Sequence, residues 1–129
     1  EVISNYKSYG LPLDTIWSDI DYMDEFRDFT VDEDNFPLDQ LKKITDEFHY
    51  VPIVDAGVSL ESDAFSIGHE RDVFIKDLRG REFRGVVWPG DVGFVDYFHP
   101  NATKYWMDML EDLYKQVKFS GIWLDMNEI

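Results

Sequence analysis

The chain has 129 residues, the size of one folded unit, and sets 27 Asp and Glu against 12 Lys and Arg for a formal net charge of −15. That balance argues against nucleic-acid backbones and anionic membrane surfaces as partners, because both repel a strongly acidic protein. Hydrophobic residues make up 44% and cysteine is absent, so a core can form while disulfides, thiolate zinc sites and cysteine nucleophiles are excluded.

In chain order, the first apolar run is Leu11 to Trp17, of strand length, leading into Ser18-Asp19-Ile20-Asp21. Pro37 marks a helix start, followed by Leu38, Leu41, Ile44 and Phe48 at three- and four-residue steps. Tyr50-Val51-Pro52-Ile53-Val54 reads as a second strand ending at Asp55, although Pro52 is unsuited to an interior ladder position. Residues 56–98 are expected to form an insertion between that strand and its following helix. Within it, Val73-Phe74-Ile75-Lys76 and Phe83 to Trp88 flank Asp77-Leu78-Arg79-Gly80-Arg81 and predict a β-hairpin, and Trp88-Pro89-Gly90 opens a second irregular piece. Connections of this length are usually functional. After His99-Pro100-Asn101, the positions Ala102, Tyr105, Trp106, Met109, Leu110, Leu113 and Val117 trace one face of a helix. Phe119 to Leu124, interrupted by Ser120-Gly121, is the third strand and ends at Asp125.

No apolar run approaches the roughly 18–20 residues that span a bilayer, and no signal-peptide pattern opens the chain, so no membrane insertion is expected in this segment. The chain starts at Glu1 and stops just after a dense polar motif, which leads us to expect a piece of a longer protein. Strands alternating with helices imply parallel strands joined by crossovers, in a doubly wound sheet or a (β/α)8 barrel. Neither GxGxxG nor GxxxxGK occurs, and three strands end in aspartate. Polar residues at the carboxyl ends of several strands are the barrel's signature, so the expected α/β fold is a partial (β/α)8 TIM barrel of about three strands.

Aspartates converging on one barrel rim can bind a cation, grip sugar hydroxyls, or serve as acid, base or nucleophile; singly, they also cap helices and start turns. Trp123 and Asp125 lie two apart and share one side of a strand, where an indole offers a flat surface for a sugar ring. Asp125 and Glu128 place two strong acceptors within four residues. Asp32-Glu33-Asp34-Asn35 lacks the turn glycine of a calcium loop, and His49, His69 and His99 show no zinc-ligand spacing, so no metal is expected. Asn101-Ala102-Thr103 is an N-glycosylation sequon that matters only in the secretory pathway.

Ile122-Trp123-Leu124-Asp125-Met126-Asn127-Glu128 resembles the nucleophile signature of glycoside hydrolase family 31, whose best-known members are α-glucosidases of the acid-maltase and sucrase-isomaltase type. Three further blocks resemble the same family in the same order. They are Trp17-Ser18-Asp19-Ile20-Asp21-Tyr22-Met23 with Arg27-Asp28-Phe29-Thr30, then Ile53-Val54-Asp55, then Val87-Trp88-Pro89-Gly90 with Phe94-Val95-Asp96-Tyr97-Phe98. The resemblance implies a retaining, exo-acting α-glucosidase that works through a covalent glycosyl-enzyme intermediate and needs no cofactor. It implies Asp125 as nucleophile, Asp19 as a ligand of sugar hydroxyls, and Ile20, Ile53, Trp88, Trp123 and Met126 as apolar walls around one glucose. Asp55 joins the acidic rim, and Glu128 is expected to organise the site from behind. Within the family, an α-xylosidase, a glycan-trimming glucosidase or a transglycosylase is the alternative, as is a non-catalytic carbohydrate-binding relative. Ile129 stands where many members have proline. The family's acid/base aspartate lies on a later strand, so the segment alone is expected to be inactive. Members are often secreted, lysosomal or resident in the endoplasmic reticulum, which implies the secretory pathway, a lysosome or the exterior and favours glycosylation of Asn101.

Overall fold

Helix α1 (Val2–Ser8) leads into strand β1 (Thr15–Ser18), and two single 3-10 turns follow at Ile20–Tyr22 and Asp24–Phe26. Then come α2 (Leu38–Glu47), β2 (His49–Asp55), β3 (Gly57–Ser59), α3 (Asp63–Glu70), β4 (Arg84–Val87), β5 (Gly90–Phe94), α4 (Ala102–Gln116) and β6 (Trp123–Asp125). These elements belong to a computed structural model that describes residues 1–127.

Strands β1, β2 and β6 form a parallel sheet in that order, each joined to the next through a helix-bearing crossover. The central strand contains Pro52, which the sequence made an awkward ladder residue. Ser18↔Pro52 is the last pair of the β1 ladder, and pairing with β6 starts one residue later at Ile53↔Trp123. The missing N–H therefore falls where β2 changes neighbours. Both flanking strands are shorter than their apolar runs. Leu11 closes the end of α1, its N–H donating to Tyr6 O at 3.0 Å, and Ser120 N bonds Tyr50 O at 2.9 Å ahead of the β6 ladder.

Helix α4 buries Ala102, Tyr105, Met109 and Leu113, the three- and four-residue spacing expected of its inner face. They pack with Tyr22, Met23, Ile53, Val54 and Phe74 into the main core. Tyr105 is fully buried and donates its hydroxyl to Ala64 O at 2.9 Å, tying α4 to α3. A smaller cluster of Leu41, Tyr50 and Val117 seats α2 against β2.

The stretch between β2 and α4 differs from the sequence expectation. Its regular hairpin is β4–β5, closed by Trp88-Pro89 with Val87 paired to Gly90, whose φ of +96° suits glycine. Strand β3 extends it to an antiparallel sheet of order β3-β5-β4. The expected hairpin around residues 77–81 is present in short form, with one bridge, Lys76↔Glu82, flanked by Asp77 N donating to Arg81 O and Phe83 N to Ile75 O, both at 2.7 Å, while Phe74 pairs with Val95. The Asp77 carboxylate accepts the N–H groups of Arg79 and Arg81 at 2.8 and 3.0 Å, so that turn organises itself locally. Helix α3 begins at Ser62, whose hydroxyl accepts Phe65 N–H at 3.1 Å.

Candidate active site

The parallel register brings the carboxyl ends of three strands together. Asp55 is the direct cross-strand partner of Asp125, and Ile53 that of Trp123. Paired residues on parallel strands sit about 4.8 Å apart and point to the same face. Asp19, one residue past the end of β1, lies near enough for its charge to act on Asp55. Trp17 and Trp123 meet edge to face, ring centres 5.5 Å apart, beside these carboxylates.

Two of the three aspartates are anchored alike. Asp19 accepts the N–H of Ile20 at 2.8 Å, and Asp125 accepts that of Met126 at 2.7 Å. Each bond fixes one carboxylate oxygen. For Asp19 it is also the cap of the Ile20–Tyr22 turn, so the ordinary structural role of aspartate is present beside any functional one. Met126 holds φ at +58°, a left-handed conformation costing a non-glycine residue about 1–2 kcal/mol.

Asp55 differs. It is 3% exposed, its Oδ1 has no hydrogen-bond partner, and burial together with the charges of Asp125 and Asp19 pushes its pKa up to about 6. Beneath it lies Asp28, 2% exposed, whose Oδ1 accepts the Asp55 N–H at 2.8 Å and whose Oδ2 is unpartnered. Burial, followed by the nearby Asp55 charge, drives the Asp28 carboxyl well above the usual carboxylate range. Tyr22 donates its hydroxyl to Ile53 O at 2.7 Å, and its phenol is raised by burial and then by the charge of Asp28. Tyr97 is pushed up to about 12 by burial and the charge of Asp28. Among the described residues, no salt bridge joins a lysine, arginine or histidine to Asp19, Asp28, Asp55 or Asp125.

Of the expected wall residues, Ile53 is buried, while Ile20 and Trp123 are half-buried and pack on the core. Met126 follows Asp125, half-buried. Trp88 stands at the tip of the β4–β5 hairpin, 57% exposed. Glu128 lies outside the described residues. Asn101 is exposed at the start of α4, and its side-chain amide donates to Arg71 O at 3.0 Å. The sequence alone assigns no site role to Asp28 or Tyr22. Both stand in the quoted strand-end blocks, but only the path of the loop shows that they reach the end of β2. Groups of three or more potential metal ligands are absent among the described residues.

The family model described as the glycosyl hydrolases family 31 TIM-barrel domain matches residues 1–129. The chain belongs to this family. Its α/β sheet is accordingly part of a (β/α)8 barrel of the kind found in glycosyl hydrolases of family 31. The family 31 chain is 42% identical over 142 residues to glucoamylase 1 of Candida albicans, covering 99% of this chain and 15% of that protein. It is 43% identical over 130 residues to an α-glucosidase of Mucor javanicus, covering 95% and 15%. It therefore spans about 15% of the length of these relatives. Among solved structures, a family 31 α-glucosidase from Bacteroides thetaiotaomicron superposes with a TM-score of 0.85 at 33% identity, over 99% of this chain and 22% of that one. The glucosidase II α subunit bound to α3-Glc2 superposes with a TM-score of 0.86 at 28% identity, over 98% and 14%.

Proposed function

We propose that this family 31 chain provides the nucleophile side of the pocket of a retaining, exo-acting α-glucosidase that releases terminal α-linked glucose from oligosaccharides. The observation that carries the reading is the cross-strand pair Asp55↔Asp125 beside Trp123, with Asp19 at the neighbouring strand end. The free oxygen of Asp125 attacks the anomeric carbon as the bond to the leaving oxygen breaks. That oxygen takes its proton from an acid carboxyl on a later barrel strand, about 5–5.5 Å from the nucleophile as retaining enzymes require. Water then cleaves the glycosyl-enzyme ester, with the same carboxyl acting as base. Asp19 accepts hydrogen bonds from two sugar hydroxyls, and these strengthen as the ring distorts. The acidic rim stabilises the positive charge that develops on the sugar.

Trp123, Ile20, Ile53 and Met126 form the apolar walls, and residues 56–98 act as an insertion whose hairpin carries Trp88 toward the pocket. Glu128 organises the site without touching sugar. A solved neighbour described as an endoplasmic-reticulum glucosidase II complex and the exposed sequon at Asn101 support passage through the secretory pathway and glycosylation there.

The test is covalent trapping of the full-length enzyme with 5-fluoro-α-D-glucosyl fluoride, followed by peptide mapping. Inactivation with the label on Asp125 is expected. An active enzyme labelled elsewhere overturns the nucleophile assignment, and a folded protein that neither turns over nor labels is a carbohydrate-binding relative.

A further inference from the structure

We propose that Asp55 works as a neutral carboxylic acid, seated on Asp28 and donating its proton in a hydrogen bond to the Asp125 carboxylate, and so acts as a positioning residue for the nucleophile. The inference rests on the assignment of Asp125 as nucleophile.

Three geometric facts carry it. Asp55 and Asp125 are directly paired across β2 and β6, so their side chains emerge side by side. Asp55 Oδ1 is buried without a partner, and a buried acceptor oxygen left unpaired costs about 1–3 kcal/mol unless it carries a proton and donates. Below, the backbone N–H of Asp55 is held by Asp28, itself buried with a second unpaired carboxyl oxygen. The groups facing Asp55 are Asp19 at the end of β1, Tyr22 in the following turn, Asp28 beyond it and Asp125 on β6. None of these supplies a positive charge. An ionised Asp55 would place a buried anion among carboxylates, whereas a protonated one converts repulsion with Asp125 into an O–H···O bond, the strong charge-assisted kind. The rise of its pKa to about 6 agrees with this state through the acidic range.

Retaining catalysis gives the bond a purpose. The nucleophile must present one oxygen in line with the anomeric carbon, and small misplacements of a reacting atom are expensive. Met126 N–H already holds Oδ1 of Asp125, and a second donor from Asp55 would fix the plane of the carboxylate.

The experiment measures kcat/KM of the full-length enzyme for α-glucosyl fluoride across pH 4–8. Fluoride departs with little need of a proton, so the alkaline limb does not report the general acid. Wild type should lose at least about tenfold above an apparent pKa near 6, as Asp55 turns from donor to anion. Asp55→Asn keeps a donor that does not titrate. It should remain within about tenfold of wild type at pH 5 and lose the alkaline limb. Asp55→Leu should fall by about a hundredfold at every pH. If the leucine variant does not fold, the comparison of wild type with Asp55→Asn decides. An alkaline limb unchanged in Asp55→Asn, with Asp125 still labelled by the fluorosugar, overturns this proposal alone. Failure of wild type to label Asp125 overturns it together with the nucleophile assignment.

Discussion

Stability should fall between pH 4 and pH 6, and Asp55 is one of two buried carboxyls that set that fall. Its carboxyl stands at about 6 in the folded chain against 3.8 when unfolded. Below pH 3.8 both states hold the proton, and the group favours neither. As pH rises through the interval the unfolded chain releases the proton while the folded chain keeps it, so stability drops by about 1.4 kcal/mol per pH unit. Above 6 both states are ionised and the loss levels off at about 3 kcal/mol, the equivalent of the whole displacement. Asp28, raised in the same direction, adds to the fall from the same starting pH and extends it to higher pH. Asp32, Asp72, Asp77 and Asp108 are held below the ordinary range by hydrogen bonds, and what they contribute disappears only below pH 4, outside the window. The assay is urea unfolding of the full-length protein at pH 4, 5, 6 and 7. Tryptophan emission follows it, since the Trp17–Trp123 pair sits at the affected strand ends. Asp55→Asn should flatten the profile by about 3 kcal/mol across the window. Stability that rises from pH 4 to pH 6 in wild type, or an equal slope in the asparagine variant, refutes the reasoning.

Tyr105→Phe removes the hydroxyl that donates to Ala64 O and ties α4 to α3 in the core, and should lower stability by about 1 kcal/mol in the same unfolding assay. Gly93→Ala builds a methyl 2.7 Å from the Phe65 ring and 3.2 Å from Phe74, and Phe74 is buried with little room to move. Overpacking there should cost about 1–3 kcal/mol, seen as a lower melting temperature.

Much of this fold is written in hydrophobic spacing. Helix α4 was legible because Ala102, Tyr105, Met109 and Leu113 form a stripe that the core buries. Helix α3 was not, because the residues it buries are Ala64 and Gly68, too small to register as an apolar stripe. Gly68 is small for a reason, since a Cβ there would lie 2.7 Å from the Phe74 ring. Helix α1 buries nothing and so leaves no pattern. The Asp77–Arg81 turn was legible and closes a short hairpin, but Trp88-Pro89-Gly90, which closes the regular one, read only as an irregular piece. For the site, the strand-end aspartates were legible from position. Asp28 was not, because a loop aspartate shows its burial only once the chain is folded over it.

That loop also explains how an acid can be buried at the end of a strand. Strand β1 stops pairing at Ser18↔Pro52, so the last backbone groups of β2 have no neighbour on that side. Side chains from the segment after β1 take its place: Tyr22 donates to Ile53 O, and Asp28 accepts from Asp55 N. The segment is itself braced, with Asp24 N donating to Thr30 Oγ1 at 3.0 Å, Thr30 Oγ1 donating to Arg27 O at 2.6 Å, and Arg27 paired with Asp24 at 2.6 Å. Backbone pairing with β6 fixes the height of Asp55 relative to Asp125, and the braced loop fixes the backbone from which Asp55 projects. The orientation of the candidate nucleophile's neighbour therefore depends on residues 22–30 as much as on the strands, and a loosened loop should disturb the site even with every barrel strand intact.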